Sequence, residues 1–234
     1  MSGRFYGGFA SIIRRLVQLA IGRYEVKMLG VPPAPSVYVV HHRNTRGPIT
    51  SIAWLDTHCH LWALSAFFTR TGCFDQYTGY TFTRRYRMPW ILAAAIALPA
   101  SLFVSRLLNS LKAIPVYRGS TRILSTLRRS VAALKAGESV LISPDIDYTD
   151  SGSGMGVMHE GFLHVEKFFS AETATHASFV PVHIDRRHRA IYVGEAIRFA
   201  GRESFRIEKG EVYARISREF SRLERLEKTA GGTA

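Results

Sequence analysis

The sequence has little with which to cross-link the chain or hold a metal ion. Its 234 residues include two cysteines, Cys59 and Cys73, which form neither a zinc-ligand spacing nor a disulfide framework. This argues against a small disulfide-stapled module and fits a reducing cytosol. A cleavable secretory signal is not expected either, because Arg14 and Arg15 interrupt the first apolar run. With no internal repeat, we expect one domain around a single core.

Acidic residues are also scarce. The chain has 18 of them against 31 lysines and arginines, which gives a formal net charge of +13. Such an excess predicts an anionic partner, namely nucleic acid, anionic lipid or a phosphorylated substrate. The hydrophobic content of 47% is high for a nucleic-acid binder and favours a membrane surface. Since there is no helix-turn-helix signature, we expect no nucleic-acid partner.

Two apolar stretches suit contact with a membrane. Residues 9–24 place their apolar side chains on one helical face edged by arginines, which predicts a membrane-associating helix, with a core-packed helix as the alternative. Residues 89–104 carry no charge but are shorter than the roughly 20 residues of a spanning helix. Pro99 is expected to break them, so the segment should enter one leaflet or pack internally rather than cross. We therefore expect a peripheral or monotopic protein on the cytoplasmic face of the cell membrane.

The stretch from Ser36 to Pro48 reads as strand, polar turn and helix. Val37 to Val40 are β-prone, and Pro48 suits the first turn of a helix. His41 and His42 lie between them, where the helix dipole disfavours protonation. A neutral imidazole there can accept a proton, as a general base must. The alternative is that both histidines merely close the strand.

The rest of the chain alternates between predicted strands and helices. The predicted strands are residues 25–29, 113–119, 139–143, 177–184, 190–193 and 195–199, the last two paired with each other. The predicted helices are residues 48–68, 121–136, 159–169 and 210–228, with turns at 72–87. This pattern predicts an α/β fold with a mixed, mostly parallel sheet flanked by helices and the site at the carboxyl ends of the strands. The predicted organisation is an amino-terminal helix and short strand (1–30), one α/β domain (31–228) and a disordered tail (229–234).

Two later motifs carry polar side chains at strand ends. Arg118 and Gly119 end a short strand, and a guanidinium there matches phosphate or carboxylate, with a surface salt bridge as the alternative. Pro144 begins a turn that contains Asp145 and Asp147. These aspartates do not complete a calcium loop, so no metal site is expected. Residues 151–156 lack the lysine of a phosphate-binding loop and predict a flexible connection.

Taken in order, these motifs resemble the glycerolipid acyltransferases of the lysophosphatidate acyltransferase type. That family has a histidine and an aspartate with four residues between them, then Arg-Gly, Phe-Pro-Glu-Gly-Thr and a proline-containing strand. The matching positions, over about residues 24–200, are His42, Arg118 with Gly119, Pro144 with Asp145, Gly161, and Val180 to Val182.

The resemblance implies acyl transfer with His42 as general base and Asp145 as a second catalytic residue. The implied donor is acyl-CoA or acyl-carrier protein, and the acceptor is a phosphorylated glycerolipid, either a lysophospholipid or glycerol phosphate, at an anionic membrane surface. Neither metal nor bound cofactor is implied, and backbone N–H groups near Gly47 would stabilise the oxyanion. The implied substrate-binding residues are Arg43, Asn44, Arg46, Gly47, Arg118, Gly119, Pro144, Asp147 and Gly161.

One departure from the family pattern bears on the chemistry. The expected aspartate falls on Gly47, so the carboxylate that would control the tautomer of the His42 ring is missing. Asn44 or Thr45 could bond the ring instead, and Asp145 or Asp147 could supply the charge. If none does, the alternative function is a lipid-binding relative without turnover.

Overall fold

The computed structural model describes residues 5–146 and 154–230, and these form two compact units. The larger unit comprises Arg15–His60 and Leu127 onward, and the smaller one comprises the chain up to Arg14 and Leu61–Thr126. The strands are β1 (Glu25–Met28), β2 (Val37–Val40), β3 (Cys59–Leu64), β4 (Ile114–Val116), β5 (Ser139–Ile142), β6 (Ser178–Asp185), β7 (Ala190–Val193) and β8 (Ile197–Arg198). The helices are α1 (Gly8–Ile21), α2 (Arg46–Trp54), α3 (Arg70–Gln76), α4 (Trp90–Ser110), α5 (Ile123–Lys135), α6 (His164–Thr173) and α7 (Phe205–Ala230), with a π-helical segment at Tyr77–Arg85 and 3₁₀ turns at Ser65–Phe68 and Glu160–Leu163.

The larger unit is built on a mixed, mostly parallel sheet flanked by helices, as predicted. Its strand order is β1-β7-β6-β2-β5, with β8 also paired to β6. The β1/β7, β6/β2 and β2/β5 pairs are parallel, and β6 is antiparallel to β7 and β8. Every residue of β2, β5, β6 and β7 is buried, which fits their largely apolar sequences. The predicted pairing of β7 with the last strand is wrong, because both edges of β7 are taken by β1 and β6.

The register of the central strands brings two loops together. Val39 of β2 lies opposite Ile142 of β5 in a parallel pair, so both strands end at the same edge of the sheet. The chain after Val40 and the chain after Ile142 therefore leave the sheet side by side. This brings the histidine turn next to the aspartate turn.

The predicted helix at 48–68 is wrong beyond its first turns. α2 ends at Trp54, and Cys59, which was expected on that helix, begins β3 instead. A short apolar run has no periodicity that separates a buried strand from a buried helix. In the larger unit, the ring of His60 bonds Glu138 at 2.7 Å.

In the smaller unit, β3 pairs in parallel with β4, with Trp62 opposite Ile114. The predicted turns at 72–87 are wrong, because α3 and the π-helical segment occupy this stretch. Aromatic packing supports these helical turns: the ring of Tyr77 stacks on Phe82 with centroids 5.1 Å apart. Cys73, expected in a turn, is buried in α3.

α4 runs unbroken for 21 residues through Pro99, so the predicted break is wrong. Proline removes one backbone hydrogen bond of the helix. A stripe of small residues on the same helix is buried: Ala93, Ala97, Ser101 and Ser105. The opposite side is open, with Ile91 80% exposed. With a mean hydropathy of 2.0 over an 18-residue window that is 28% buried, α4 is long and apolar enough to cross a membrane by length and composition.

α7 covers the sheet of the larger unit. Its residues Ile216, Phe220 and Leu223 are at most 1% exposed, and burying each such side chain contributes about 1.5–3 kcal/mol. The helix begins at Phe205 rather than at the predicted Gly210 and includes Thr229, which was expected to be disordered. Residues 231–234 of the predicted tail lie outside the described chain.

Candidate active site

A buried imidazole–carboxylate pair lies at the carboxyl edge of β2. The Nδ1 atom of His41 bonds Oδ1 of Asp145, and the two residues are 4% and 3% exposed. The other carboxylate oxygen, Oδ2, accepts the backbone N–H of His42 at 3.0 Å. Asp145 thus fixes both the ring of one histidine and the backbone of the next.

His42, the predicted base, has a different environment. Its side chain is half-buried, and its Nδ1 accepts the backbone N–H of Thr45 at 3.1 Å. Asn44 or Thr45 was expected to bond this ring, and the backbone of Thr45 does so. Asp145, which was expected to supply charge to His42, bonds the ring of His41 instead.

The turn after the histidines has a left-handed backbone. Arg43, Asn44 and Thr45 have φ values of 43°, 54° and 73°, a conformation that costs non-glycine residues about 1–3 kcal/mol each. Arg43 is 8% exposed, and its Nη1 donates to the carbonyl of Ile184 at 2.7 Å. Burial lowers the pKa of this guanidinium, and the charge of Glu227 opposes that effect. Arg43 was predicted to bind substrate phosphate, but in this structure it fastens the turn to β6.

Gly47, where the resemblance places an aspartate, has no room for a side chain in this backbone. A Cβ at this position would lie 3.0 Å from the carbonyl carbon of His41 and closer still to its oxygen. No side chain fits there without moving the backbone of β2 and its turn. The amide of Gly47 donates to the carbonyl of His42 at 3.2 Å, and that of Arg46 to the carbonyl of Arg43 at 3.3 Å. The predicted oxyanion donors are thus engaged within the turn.

The remaining predicted site residues differ in their positions. Asn44 and Arg46 are exposed on the turn, and Gly161 is exposed in the 3₁₀ turn before α6. Pro144 is buried, and its carbonyl accepts the N–H of His159 at 2.7 Å. Asp147 lies outside the described residues, as do residues 151–153 of the predicted loop at 151–156.

Arg118 and Gly119 belong to the smaller unit. They follow β4 and are exposed, and Gly119 has a φ of +65° that suits a glycine turn. The neighbouring Arg122 places its guanidinium carbon 4.1 Å from the ring centroid of Tyr117. The role of Arg118 and Gly119 in phosphate binding stays a prediction.

Three buried polar atoms have no hydrogen-bond partner among the described residues. They are Nε2 of His41, Oγ of Ser51 and Oγ of Ser143. Ser143 directly follows β5 at the edge where β2 ends, and Ser51 lies one turn after Gly47 on α2. Unpaired buried polar groups are uncommon in proteins and call for a functional explanation. No sequence signal distinguished these serines.

The chemistry of the described residues does not point to a metal centre. Among residues 5–146 and 154–230, no group of three or more histidine, cysteine or acidic side chains is placed to hold an ion.

Comparison with known proteins supports the fold. No protein-family model matches the sequence, and no curated protein matches it. Among solved structures, the 1-acyl-sn-glycerophosphate (LPA) acyltransferase PlsC from Thermotoga maritima is similar, with a TM-score of 0.50 and 11% sequence identity. The match covers 92% of this chain and 79% of that one. At this identity the match shows a shared fold alone.

Proposed function

We propose that this protein is an acyltransferase of glycerolipid metabolism. It moves a fatty acyl chain from acyl-CoA or acyl-carrier protein to a hydroxyl of a lysophospholipid or glycerol phosphate. The observation that carries the proposal is the buried His41–Asp145 pair at the carboxyl edge of the central strand, in a sheet that resembles a lysophosphatidate acyltransferase. This edge is where α/β proteins place their ligands.

In the proposed reaction, the acceptor hydroxyl attacks the thioester carbonyl while an imidazole of the turn takes its proton. The tetrahedral intermediate then collapses, an ester forms, and the thiol leaves with a proton. By the order of the motifs alone, the base would be His42. The reaction needs no metal or bound cofactor.

The exposed part of the turn supports an anionic acceptor. Arg46 and Asn44 are exposed beside the half-buried His42. A guanidinium at this edge matches two phosphate oxygens at once. We therefore propose phosphate contact for Arg46 and Asn44, and retain it as a separate prediction for Arg118.

The smaller unit supports a membrane location. The side chains of Trp90, Ile91 and Leu98 on α4 are 64%, 80% and 57% exposed, and Arg84 and Arg87 lie shortly before them in the sequence. Exposed apolar side chains near arginines suit the headgroup region of an anionic bilayer. We propose peripheral or monotopic binding at the cytoplasmic face of the cell membrane.

A second candidate function is lipid binding without turnover. The lack of space for a side chain at Gly47 favours it, because the family's usual aspartate has no place in this backbone. Such a protein would bind the same acceptors without transferring acyl groups to them.

The test is transfer of labelled acyl chains from acyl-CoA and acyl-carrier protein to a panel of lysophospholipids and glycerol phosphate. Wild type should transfer, and the double variant His41→Asn/His42→Asn should not, while His176→Asn, a histidine outside the turn, serves as control. Binding of the acceptors without transfer by wild type would reject acyl transfer and establish the second function.

A further inference from the structure

We propose that the proton-accepting histidine is His41 rather than His42, and that Asp145 replaces the missing aspartate of the motif. This inference rests on the proposed function and names the catalytic residue of the same site. In this arrangement, His42 is a hydrogen-bond donor to the substrate.

The bonding of His42 sets its tautomer. A backbone N–H can only donate, so Nδ1 of His42, which receives the N–H of Thr45 at 3.1 Å, must be the unprotonated nitrogen. The proton of the neutral ring is then on Nε2. In that form, Nε2 donates a hydrogen bond and cannot take a proton from a hydroxyl. The ring suits a phosphate or carbonyl oxygen.

The bonding of His41 gives the opposite tautomer. Its Nδ1 bonds the carboxylate of Asp145, and a carboxylate accepts, so the proton of the neutral ring is on Nδ1. Nε2 then carries the free lone pair, and Asp145 stabilises the imidazolium that forms when it accepts a proton. This same Nε2 is buried without a hydrogen-bond partner in the described structure.

The glycine at position 47 and the use of His41 as the base in place of His42 are linked. The close approach of the Gly47 backbone to the His41 carbonyl excludes the usual carboxylate. Asp145 arrives instead from β5, which runs parallel to β2 and ends beside it. It bonds the preceding histidine because its second oxygen holds the backbone N–H of His42. A histidine–carboxylate pair is thus present, but it is formed by His41 and Asp145 rather than by His42 and a carboxylate at position 47.

Access to His41 requires the turn to move. The ring is buried, and the turn that follows it holds the successive φ values of 43°, 54° and 73°. Its left-handed backbone is held by the bond of Arg43 to the carbonyl of Ile184. Opening of this strained segment would admit the acceptor hydroxyl to Nε2 of His41.

Steady-state kinetics of two variants separate the roles. Asp145→Asn keeps the shape of the side chain but removes the charge, so kcat should fall roughly 10²- to 10⁴-fold with little change in KM. His42→Asn should mainly raise the KM for the acceptor, with kcat within about tenfold of wild type. Glu166→Gln is the matched control, because this buried carboxylate also bonds an imidazole, that of His176 at 2.6 Å, and a backbone N–H, that of Ala177 at 2.8 Å.

Nitrogen-15 NMR of histidine-labelled wild type tests the tautomers without any variant. Above neutral pH, His41 should carry its proton on Nδ1 and His42 on Nε2. Loss of kcat in His42→Asn but not in Asp145→Asn, or the reverse tautomers, would overturn the assignment while acyl transfer stands. If wild type transfers nothing from any donor, the proposed function fails and the catalytic role of His41 fails with it; the spectrum would still decide whether Asp145 holds His41 in the base-ready form.

Discussion

At the scale of single residues, the site depends on how one carboxylate is shared. Asp145 bonds the ring of His41 through one oxygen and the backbone of His42 through the other. Both oxygens are thereby satisfied in a buried position, where an unpaired charge would be costly. The same arrangement recurs at Glu166 with His176 and Ala177, so a carboxylate that joins an imidazole to a neighbouring amide is a repeated device in this unit.

A first prediction concerns the close approach at Gly47. Gly47→Ala adds a Cβ against the carbonyl of His41, so the backbone must shift, and the free energy of unfolding should fall by about 1–3 kcal/mol. Chemical denaturation of both proteins measures the difference. Gly210→Ala is the control, since a Cβ there meets nothing within 4 Å and should stabilise α7 by up to about 1 kcal/mol. Equal loss of stability in both variants, or none in Gly47→Ala, would contradict the steric explanation.

Local sequence predicted part of this site and missed the rest for physical reasons. The strand ending in His41 and His42 was readable from β-prone residues, and Asp145 from the polar turn after an apolar strand. The choice between the histidines was not readable, because it depends on which ring faces Asp145, 104 residues later. The inward position of Arg43 likewise depends on a carbonyl of β6, 141 residues away.

At the scale of elements, long-range packing overrode local signals in several places. The buried strands β2, β5 and β6 were predicted because unbroken β-prone runs fit a parallel sheet. β3 was mistaken for helix because a short apolar run fits both. The helical turns at 70–85 are accompanied by aromatic stacking, and α4, which continues through Pro99, has a buried stripe of small residues. Neither feature can be read from local helix propensity.

A second prediction concerns the start of α7. Glu208, 5% exposed, accepts the backbone N–H groups of residues 200–203 at 2.6–3.2 Å. Burial acts to raise the pKa of this carboxyl, but the four N–H bonds outweigh it, so its pKa lies below the ordinary value. A lowered folded pKa stabilises the protein above the unfolded value of about 4.3, and this contribution is lost as the pH falls through the folded pKa.

Glu208→Gln should therefore lower the free energy of unfolding by about 1–3 kcal/mol near neutral pH, with a difference from wild type that shrinks in acid. Denaturation between pH 3 and 7 measures it. Glu211→Gln, an exposed glutamate on the same helix, should show little change at any pH. A Glu208→Gln deficit that stayed constant with pH would mean that the charge of the carboxylate does not hold the loop.

At the scale of the whole molecule, charge and exposed apolar surface both bear on the proposed lipid partner. The net charge of +13 attracts any polyanion, so charge alone does not separate lipid from nucleic acid. The apolar face of α4, where Ile91 is 80% and Leu98 57% exposed, favours lipid over nucleic acid. Apolar side chains can be buried in the interior of a bilayer, whereas a duplex has few apolar groups for them to contact. The acceptor of the proposed reaction, a phosphorylated glycerolipid, would also be found in that bilayer.

The last prediction follows from combining these two contributions. Wild type should bind vesicles that contain anionic lipid more tightly than neutral vesicles, and raising the salt concentration should weaken the binding, because surface charges are screened. Ile91→Asp or Leu98→Asp should reduce partition onto anionic vesicles by at least about tenfold, since a carboxylate is costly to bring into the bilayer. Ile207→Asp changes a side chain on α7 that is exposed (54%) to nearly the same extent as Leu98 (57%), and it should bind like wild type. Sedimentation with vesicles measures all four proteins.

Equal binding of vesicles by wild type and the α4 variants would show that this face of α4 does not enter the bilayer. Salt-sensitive binding to duplex DNA in preference to vesicles would indicate that the positively charged surface binds nucleic acid instead.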